Sequence, residues 1–306
     1  MQALQRMRAL AELRLYDSIP DDSEGLSTYA VVDLPCLRVL DIWSDVGPLT
    51  AVLRHITFPS SATLNLACIE NQSTQIDFSN FLSVHATKFL STLVIRSLKL
   101  RVCNGILETG GLEFYLWTTH DSDCFPTFLN IQSQLQLVLE WPSPQPHSYA
   151  RALTCAFDAM SLSFLTQLHI STWDCIDSQT WVETFGKLSL LEQVCVQSYA
   201  PQPFFEALVY KTKAAETSRT AYCVVSFPKL RHIYLVSTGF TFIANSSAIS
   251  VDTLLDILME RCERNAEVQV LWLEDCYYIL SDEVERLKEV VVVDVIWDGI
   301  EQVRRK

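Results

Sequence analysis

The stretch TTHDSDCF, residues 118–125, holds the most obvious candidates for chemistry in this chain. It brings His120, Asp121, Asp123 and Cys124 close together in sequence, and imidazole, carboxylate and thiolate groups are metal ligands in proteins. A polar surface loop contains the same residue types, and it is the interpretation we prefer. We therefore predict no metal site at this stretch.

The sequence contains none of the short motifs that mark common catalytic or cofactor sites. It lacks the glycine-rich dinucleotide and phosphate loops, the nucleophile motif G-x-S-x-G and the zinc motif H-E-x-x-H. Only 8 glycines are present, and the 6 histidines are scattered singly along the chain. We therefore predict a protein that is not an enzyme and that carries no cofactor.

A short apolar pattern, L-x-x-L-x-L, recurs along the chain with Leu, Ile, Val and Phe exchanging. Most successive copies are 21–29 residues apart, close to the period of about 20–29 residues in leucine-rich repeats. The fourth and sixth residues point to the same side of a strand because side chains alternate. The pattern predicts about eleven degenerate repeats whose strands stack into one parallel sheet. Their middle apolar residues are Leu13, Leu40, Leu64, Leu93, Phe114, Leu135, Leu168, Val194, Ile233, Leu271 and Val293.

Segments between the predicted strands have the apolar spacing of helices. The clearest is 250–265, where Ser250 is the predicted N-cap, and 281–290 follows with Ser281 as its predicted N-cap. Further helices are predicted at 48–56, 148–160 and 202–215. The predicted fold is an α/β leucine-rich-repeat solenoid, a single domain over residues 1–306. Its curved parallel sheet forms the concave side, and helices and loops form the convex side.

Residues between the inward-facing positions are predicted to lie on the concave face of the sheet. Large aromatic side chains there are typical of binding hot spots, and acidic neighbours suit a basic partner. In an alternative that stays open, several of these side chains cover the sheet or fill gaps between repeats. The candidate protein-interaction residues are Asp41, Trp43, Tyr115, Trp117, His169, Tyr234, Trp272 and Glu274.

Composition restricts the partners and the compartment. A formal net charge of −13 argues against nucleic acid as a partner, because phosphate binding needs a basic surface. The chain has neither an apolar run of about 18 residues nor the apolar core of a secretion signal, so no membrane association is expected. Its 10 cysteines include no C-x-x-C pair, which is typical of small buried residues in a reducing compartment. We predict a cytoplasmic or nuclear protein that binds another protein.

Two segments share an unusual form, LPCLRVLDIWSD at 34–45 and FPKLRHIYLVST at 227–238. In each, an apolar residue, a proline and a Leu-Arg pair precede alternating apolar residues. Together with VQVLWLEDCYYILSDEVERLKEVV at 268–291, they resemble the leucine-rich region of fungal, basidiomycete-type F-box-like proteins. In that family an N-terminal F-box binds the Skp-type adaptor of a cullin ubiquitin ligase, and the repeats are thought to recruit the substrate. The resemblance therefore implies a ubiquitin ligase substrate adaptor.

The chain departs from the family pattern at the F-box itself. An F-box opens with Leu-Pro followed by an apolar helical run, whereas Leu34-Pro35 leads into a repeat strand. We expect the F-box to be absent or to lie upstream of Met1, so binding of a Skp-type adaptor depends on a segment outside this sequence. Two other hypotheses stay open. One is an enzyme or small-molecule binder on another α/β fold, and the other is a repeat-only paralogue with no retained partner.

Overall fold

A computed structural model describes most of the chain. The chain divides into two compact units. Unit 1 is Met1–Phe164 and unit 2 is Leu165–Lys306. The predicted α/β class with mostly parallel strands is confirmed in both units. The described residues are 1–17, 19, 30–69, 78, 81–82, 93–104, 109–118, 133–142, 146–171, 176–210, 226–240 and 249–301.

Unit 1 contains a sheet with the strand order β1-β3-β5-β8-β7-β6. β1, β3, β5 and β8 pair in parallel, and a separate parallel pair joins β2 to β4. The elements of unit 1 are α1 (Gln2–Gln5), β1 (Glu12–Tyr16), β2 (Val32–Asp33), β3 (Val39–Asp45), α2 (Val46–Arg54), β4 (Ile56–Thr57), β5 (Thr63–Ile69), β6 (Ser97–Asn104), β7 (Thr109–Trp117), β8 (Leu135–Pro142) and α3 (Pro146–Ala159).

The uniform parallel stacking predicted from the repeat is wrong at β7. This strand, which carries Phe114, pairs antiparallel with both β6 and β8. Only residues 105–108 separate β6 from β7, and a connection that short can form a hairpin but not a parallel crossover. The predicted strand around Leu93 is also displaced, since β6 begins at Ser97 and its buried apolar residues are Leu98, Leu100 and Val102.

The strands of unit 2 lie at or next to the apolar segments that the sequence pattern indicates. They pair in parallel in chain order, β9-β10-β11-β12-β13. Helical segments stand between them. The elements of unit 2 are β9 (Gln167–Ser171), α4 (Ser178–Thr180) with a π-helical turn at Trp181–Phe185, β10 (Gln193–Gln197), α5 (Gln202–Leu208), β11 (His232–Val236), α6 (Val251–Glu263), β12 (Val270–Glu274), α7 (Ser281–Lys288) and β13 (Asp294–Trp297).

One row of apolar residues runs across the unit 2 sheet and explains the spacing seen in the sequence. The register aligns Leu168, Val194, Ile233 and Leu271, all 0% exposed, with Val295 on the last strand. The predicted marker Val293 is wrong, because it lies before β13 and is 67% exposed. A run of valines satisfies the pattern in several phases, and pairing with β12 selects the phase that buries Val295.

The same backbone hydrogen-bond pattern precedes strands in both units. Two consecutive amides donate to one carbonyl of the preceding strand segment, as in a β-bulge. Arg38 and Val39 donate to the Ala11 oxygen at 2.7 and 3.2 Å, and Arg231 and His232 donate to the Glu192 oxygen at 2.9 and 3.0 Å. The pattern also occurs at Glu192–Gln193 onto Thr166, Gln269–Val270 onto Arg231 and Val293–Asp294 onto Gln269.

The strands β11 and β12 end in the same way. Ser237 and Asp275 each adopt a positive φ directly after the strand, at 55° and 50°. The buried residue that follows each of them donates to a carbonyl of the preceding strand region. Thr238 Oγ1 donates to the Ser198 oxygen at 3.2 Å, and Cys276 Sγ donates to the Leu235 oxygen at 3.6 Å.

The helices α6 and α7 differ in how they are capped. The Ser250 hydroxyl accepts a hydrogen bond from the Thr253 amide at 3.0 Å, so the predicted cap of α6 is confirmed. The predicted cap Ser281 is wrong, because α7 is capped at Leu280 and Ser281 is its first helical residue. The carboxylate of Glu283, the third helical residue, accepts a hydrogen bond from the Leu280 amide at 2.9 Å, which is the bond that a glutamate at this position makes in a capping box.

The prediction that cysteines are small buried residues holds only in part. Cys68, Cys195 and Cys276 are buried, whereas Cys36 and Cys262 are exposed. Burial raises the pKa of the Cys276 thiol to about 12, so that group stays protonated near neutral pH.

Candidate functional site

The unit 1 sheet presents its second face away from the apolar core, and we call this the outer face. Burial alternates along β3, β5 and β8, so that mostly Leu and Ile point inward, while most outward residues are polar or aromatic, with Ala67, Ile69 and Val138 among the exceptions. The strand register places the outer-face residues in rows. One row is Arg14, Asp41, Asn65, Gln136, Tyr115 and Lys99, and the next is Tyr16, Trp43, Ala67, Val138, Glu113 and Arg101.

A groove of about 260 Å³ crosses the middle of this outer face. It exists because Ala67, a small residue, lies in register between Trp43 and Val138. Larger side chains on either side therefore stand above a shallow apolar floor. The described lining residues are Tyr16, Asp41, Trp43, Asn65, Leu66, Ala67, Glu113, Gln136, Val138 and Glu140.

The wall formed by β1 and β3 is aromatic and acidic. The Tyr16 hydroxyl donates to Asp41 Oδ2 at 2.6 Å, and this hydrogen bond raises the pKa of Tyr16. Trp43 is 44% exposed, and no ring contact among the described residues involves it. An exposed indole beside a carboxylate is therefore available for contact with a ligand.

The wall formed by β7 and β8 is acidic. Tyr115 donates to Glu113 Oε2 at 2.9 Å and accepts from Gln136 Nε2 at 3.3 Å. Arg101 approaches the Glu113 carboxylate at 3.6 Å. Burial raises the pKa of Glu140, and repulsion from Glu113 raises it further. Burial and the hydrogen bond to Glu113 raise the pKa of Tyr115 to about 12.

Two of the candidates that the sequence indicated in unit 1 line the groove, and two do not. Asp41 and Trp43 line it. Tyr115 lies beside it and is joined to the lining residues Glu113 and Gln136 by hydrogen bonds. Trp117 is only 5% exposed and stacks on Tyr115 with ring centroids 6.4 Å apart, so it packs within the sheet surface.

The remaining groove residues are not among those predicted from the sequence. Tyr16, Asn65 and Ala67 alternate with inward apolar residues, so the period of two in β1 and β5 could have indicated them. Glu113 and Glu140 could not be assigned to the groove in this way. Their place depends on β8 pairing with β5 and on the reversed direction of β7.

The sheet of unit 2 also has a face opposite the row of Leu168, Val194, Ile233 and Leu271, and we call it the outer face of unit 2. It carries the remaining predicted residues, His169, Tyr234, Trp272 and Glu274, and its side chains largely cover one another. His169, Cys195, Tyr234 and Trp272 align in one row across β9–β12. His169 is 5% exposed and Tyr234 is 9% exposed. The rings of Tyr234 and Trp272 stack with centroids 5.9 Å apart.

Exposure on the unit 2 outer face increases toward the last strands. Gln167 is fully buried and donates to Gln193 Oε1 at 3.2 Å, whereas Trp272 and Glu274 are half-buried. For His169 and Tyr234, the alternative that these side chains cover the sheet therefore fits the observed burial. Trp272 and Glu274 keep accessible surface.

The described residues include no group of three or more His, Cys, Asp or Glu side chains placed to hold a metal ion. The stretch containing His120, Asp121, Asp123 and Cys124 lies outside the described residues. No helix in the described ranges has the length and apolar character needed to span a membrane.

Comparison of the chain with models of protein families, with curated proteins and with solved structures finds no match. The resemblance to F-box-like proteins therefore stays a prediction. Among the described residues, the groove on the outer face of unit 1 is the candidate functional site.

Proposed function

We propose that this chain is a leucine-rich-repeat-like solenoid that binds another protein through the outer faces of its sheets. The observation that carries the proposal is the exposed Trp43 beside the groove on the unit 1 outer face. Aromatic anchors next to a pocket are the usual centre of protein interfaces. Polar side chains around the groove supply the hydrogen-bonding rim that such interfaces have.

Repeated local geometry supports the solenoid part of the proposal. The doubled amide-to-carbonyl pattern recurs before strands in both units, and the strands of unit 2 stack in chain order. Thr238 and Cys276 occupy the polar position of the pattern L-x-x-L-x-L-x-x-N/C and bond to the preceding strand region. In a solenoid, this face of the sheet is the concave surface that binds partners.

The size of the groove favours a protein partner over a cofactor-sized molecule. Its volume of about 260 Å³ is below the range of about 300–1,000 Å³ that is typical of small-molecule sites. It is also a groove in a strand surface, and segments of another protein can lie along such a surface. Binding of a small molecule is the second candidate function, and the same groove would be its binding site.

The role as the substrate-recognition region of an F-box-type ubiquitin ligase is supported by the sequence resemblance and by one structural parallel. The two segments that carry the resemblance, 34–45 and 227–238, begin with similar turns. The Leu37 amide donates to the Leu34 oxygen at 3.1 Å, and the Leu230 amide donates to the Phe227 oxygen at 3.2 Å. Each turn leads into a strand of the sheet. Burial alternates along β3, and three consecutive residues, 233–235, are buried in β11.

Filling the groove tests the proposed function. The substitution Ala67→Trp places an indole in the groove, and Ala67 is an outer-face residue, so the core stays intact. Thr154→Trp is the matched control, because Thr154 is exposed on α3 in the same unit. Proteins retained by the immobilised wild-type chain are identified. The protein that binds most tightly is purified and titrated directly against the wild type, Ala67→Trp and Thr154→Trp.

We expect the purified partner to bind the wild type and the Thr154→Trp control equally and to bind the Ala67→Trp variant at least about tenfold more weakly. Thermal unfolding of the variants checks that they are folded. Equal binding to all three chains, or the absence of any protein that binds the purified wild type, contradicts the proposal. Accumulation of the partner when cullin ligase activity is inhibited would support the ubiquitin ligase role.

A further inference from the structure

We infer that the unit 1 groove receives an arginine or lysine side chain from the partner protein, with arginine preferred. This inference rests on the proposed function and adds the chemistry of the segment that is recognised. Three properties of the groove carry it: the charge of its walls, the exposed indole and the shape of its floor.

The charge of the lining is one-sided. Asp41, Glu113 and Glu140 line the groove, and its described lining contains no lysine or arginine. Glu113 is partly compensated by Arg101 at 3.6 Å, and Asp41 accepts the Tyr16 hydroxyl. Glu140 has neither a hydrogen bond nor an ion pair among the described residues. A cation in the groove would therefore meet a carboxylate that has no counter-charge in the described part of the chain.

The indole of Trp43 gives the groove a surface that suits a cation. Cations stack on the face of tryptophan in preference to other aromatic rings, and arginine does so more often than lysine. The planar guanidinium can also donate several hydrogen bonds to carboxylates while it is stacked. Trp43 and Asp41 lie on the same strand two residues apart, so both point to the outer face.

The floor of the groove suits the aliphatic part of a long basic side chain. Ala67 and Val138 form an apolar strip between the two walls. Trp43 and Glu113 are three strand spacings apart, which is roughly 14 Å between backbones. Long basic side chains bury their methylene stems along such strips and keep the charged end among polar groups.

Fluorine NMR on the whole chain labelled with 5-fluorotryptophan tests the inference. The resonance of Trp43 is assigned by its loss in Trp43→Phe. The probes are the blocked peptides acetyl-Ala-Arg-Ala-amide, acetyl-Ala-Lys-Ala-amide and acetyl-Ala-Gln-Ala-amide, together with free guanidinium chloride, all at one ionic strength. The partner from the Ala67→Trp experiment, when found, is titrated in parallel.

We expect the arginine peptide to shift the Trp43 resonance with saturation, the lysine peptide to bind more weakly and the glutamine peptide to have no effect. Glu140→Gln should weaken binding of the arginine peptide about threefold, as expected for removing one partly exposed charge. Glu289→Gln removes the same charge from an exposed position in unit 2 and should leave binding unchanged.

Equal shifts with the arginine and glutamine peptides, or an unchanged affinity in Glu140→Gln, overturn the inference. Free guanidinium that binds as well as the peptide also overturns it, because the groove would then recognise a small cation and not a protein segment. A partner that is lost with Ala67→Trp but whose affinity is the same for Glu140→Gln contradicts only this inference. A chain with no protein partner contradicts the proposed function.

Discussion

At the scale of single residues, one small side chain accounts for the groove. Ala67 lies on the outer face between Trp43 and Val138, and any larger residue there would fill the space. The candidates indicated by residue type behave differently according to their neighbours. Trp43 is exposed beside the groove, whereas Trp117 is buried against Tyr115. Residue type alone therefore does not distinguish a binding aromatic from a packing aromatic.

Arg261 is a second residue whose role depends on its surroundings. Its side chain is fully buried and donates to the carbonyls of Leu208, Ser226 and Phe227 at 3.4, 3.0 and 3.0 Å. Burial lowers the pKa of its guanidinium to about 10. Phe227 has a positive φ of 55°, so Arg261 holds a backbone conformation that is unfavourable for a phenylalanine.

We predict that Arg261→Met lowers the free energy of unfolding by about 2 kcal/mol, because three carbonyls lose their donor while the cost of burying the charge is relieved. Urea denaturation of the two chains measures the difference. Arg264→Met is the control, since Arg264 is partly exposed and pairs with Glu260 one turn away, and it should cost about 0.5 kcal/mol. A loss for Arg261→Met no larger than for the control would contradict this role.

At the scale of elements, two helices of unit 2 show that a serine before an amphipathic segment is not always the N-cap. Both Ser250 and Ser281 precede an amphipathic segment, but only the Ser250 hydroxyl accepts a hydrogen bond from the first turn of its helix. At α7 the Glu283 carboxylate bonds to the Leu280 amide instead. We therefore expect the two serines to contribute differently to stability.

We predict that Ser250→Ala lowers the free energy of unfolding by about 1 kcal/mol, since the Thr253 amide loses its acceptor. Ser281→Ala should change it by less than about 0.5 kcal/mol, because alanine is favourable within a helix. Urea denaturation followed by circular dichroism compares both variants with the wild type. Equal losses for the two substitutions would show that Ser281 also acts as a cap.

At the scale of the whole molecule, we expect the excess of acidic over basic residues to affect both stability and binding. The chain carries a formal net charge of −13, and several ion pairs among the described residues are solvent-exposed, such as Arg14 with Glu12 and Arg286 with Asp252. Exposed pairs add little stability, whereas repulsion among many like charges opposes the compact state. The same acidity would attract a basic partner over a longer range.

We predict that raising sodium chloride from about 10 mM to about 200 mM at neutral pH increases the free energy of unfolding by about 1 kcal/mol, because salt screens the repulsion. Urea is the denaturant because it is uncharged. The control is the same titration near pH 4.9, the isoelectric point calculated from the sequence, where the effect should largely disappear. A decrease with salt at neutral pH would mean that attractive pairs dominate.

The sequence by itself determined the α/β class, most of the inward-facing apolar positions of unit 2 and the cap of α6. These features depend on residues close together in the chain or on alternation along one strand, so local spacing and residue type are enough to predict them. Val293 shows where local spacing is insufficient. A run of valines fits the pattern in several phases, and pairing with β12 determines that Val295 is the inward-facing residue.

The tertiary structure alone decided how β6, β7 and β8 are arranged and, with them, the groove. The chain passes from β5 to β6, yet β5 pairs with β8, and β7 runs in the opposite direction. Glu113 and Glu140 face Asp41 and Trp43 only through that order. Pairing between strands distant in sequence depends on the packing of the whole unit, and no local pattern of residue types records it.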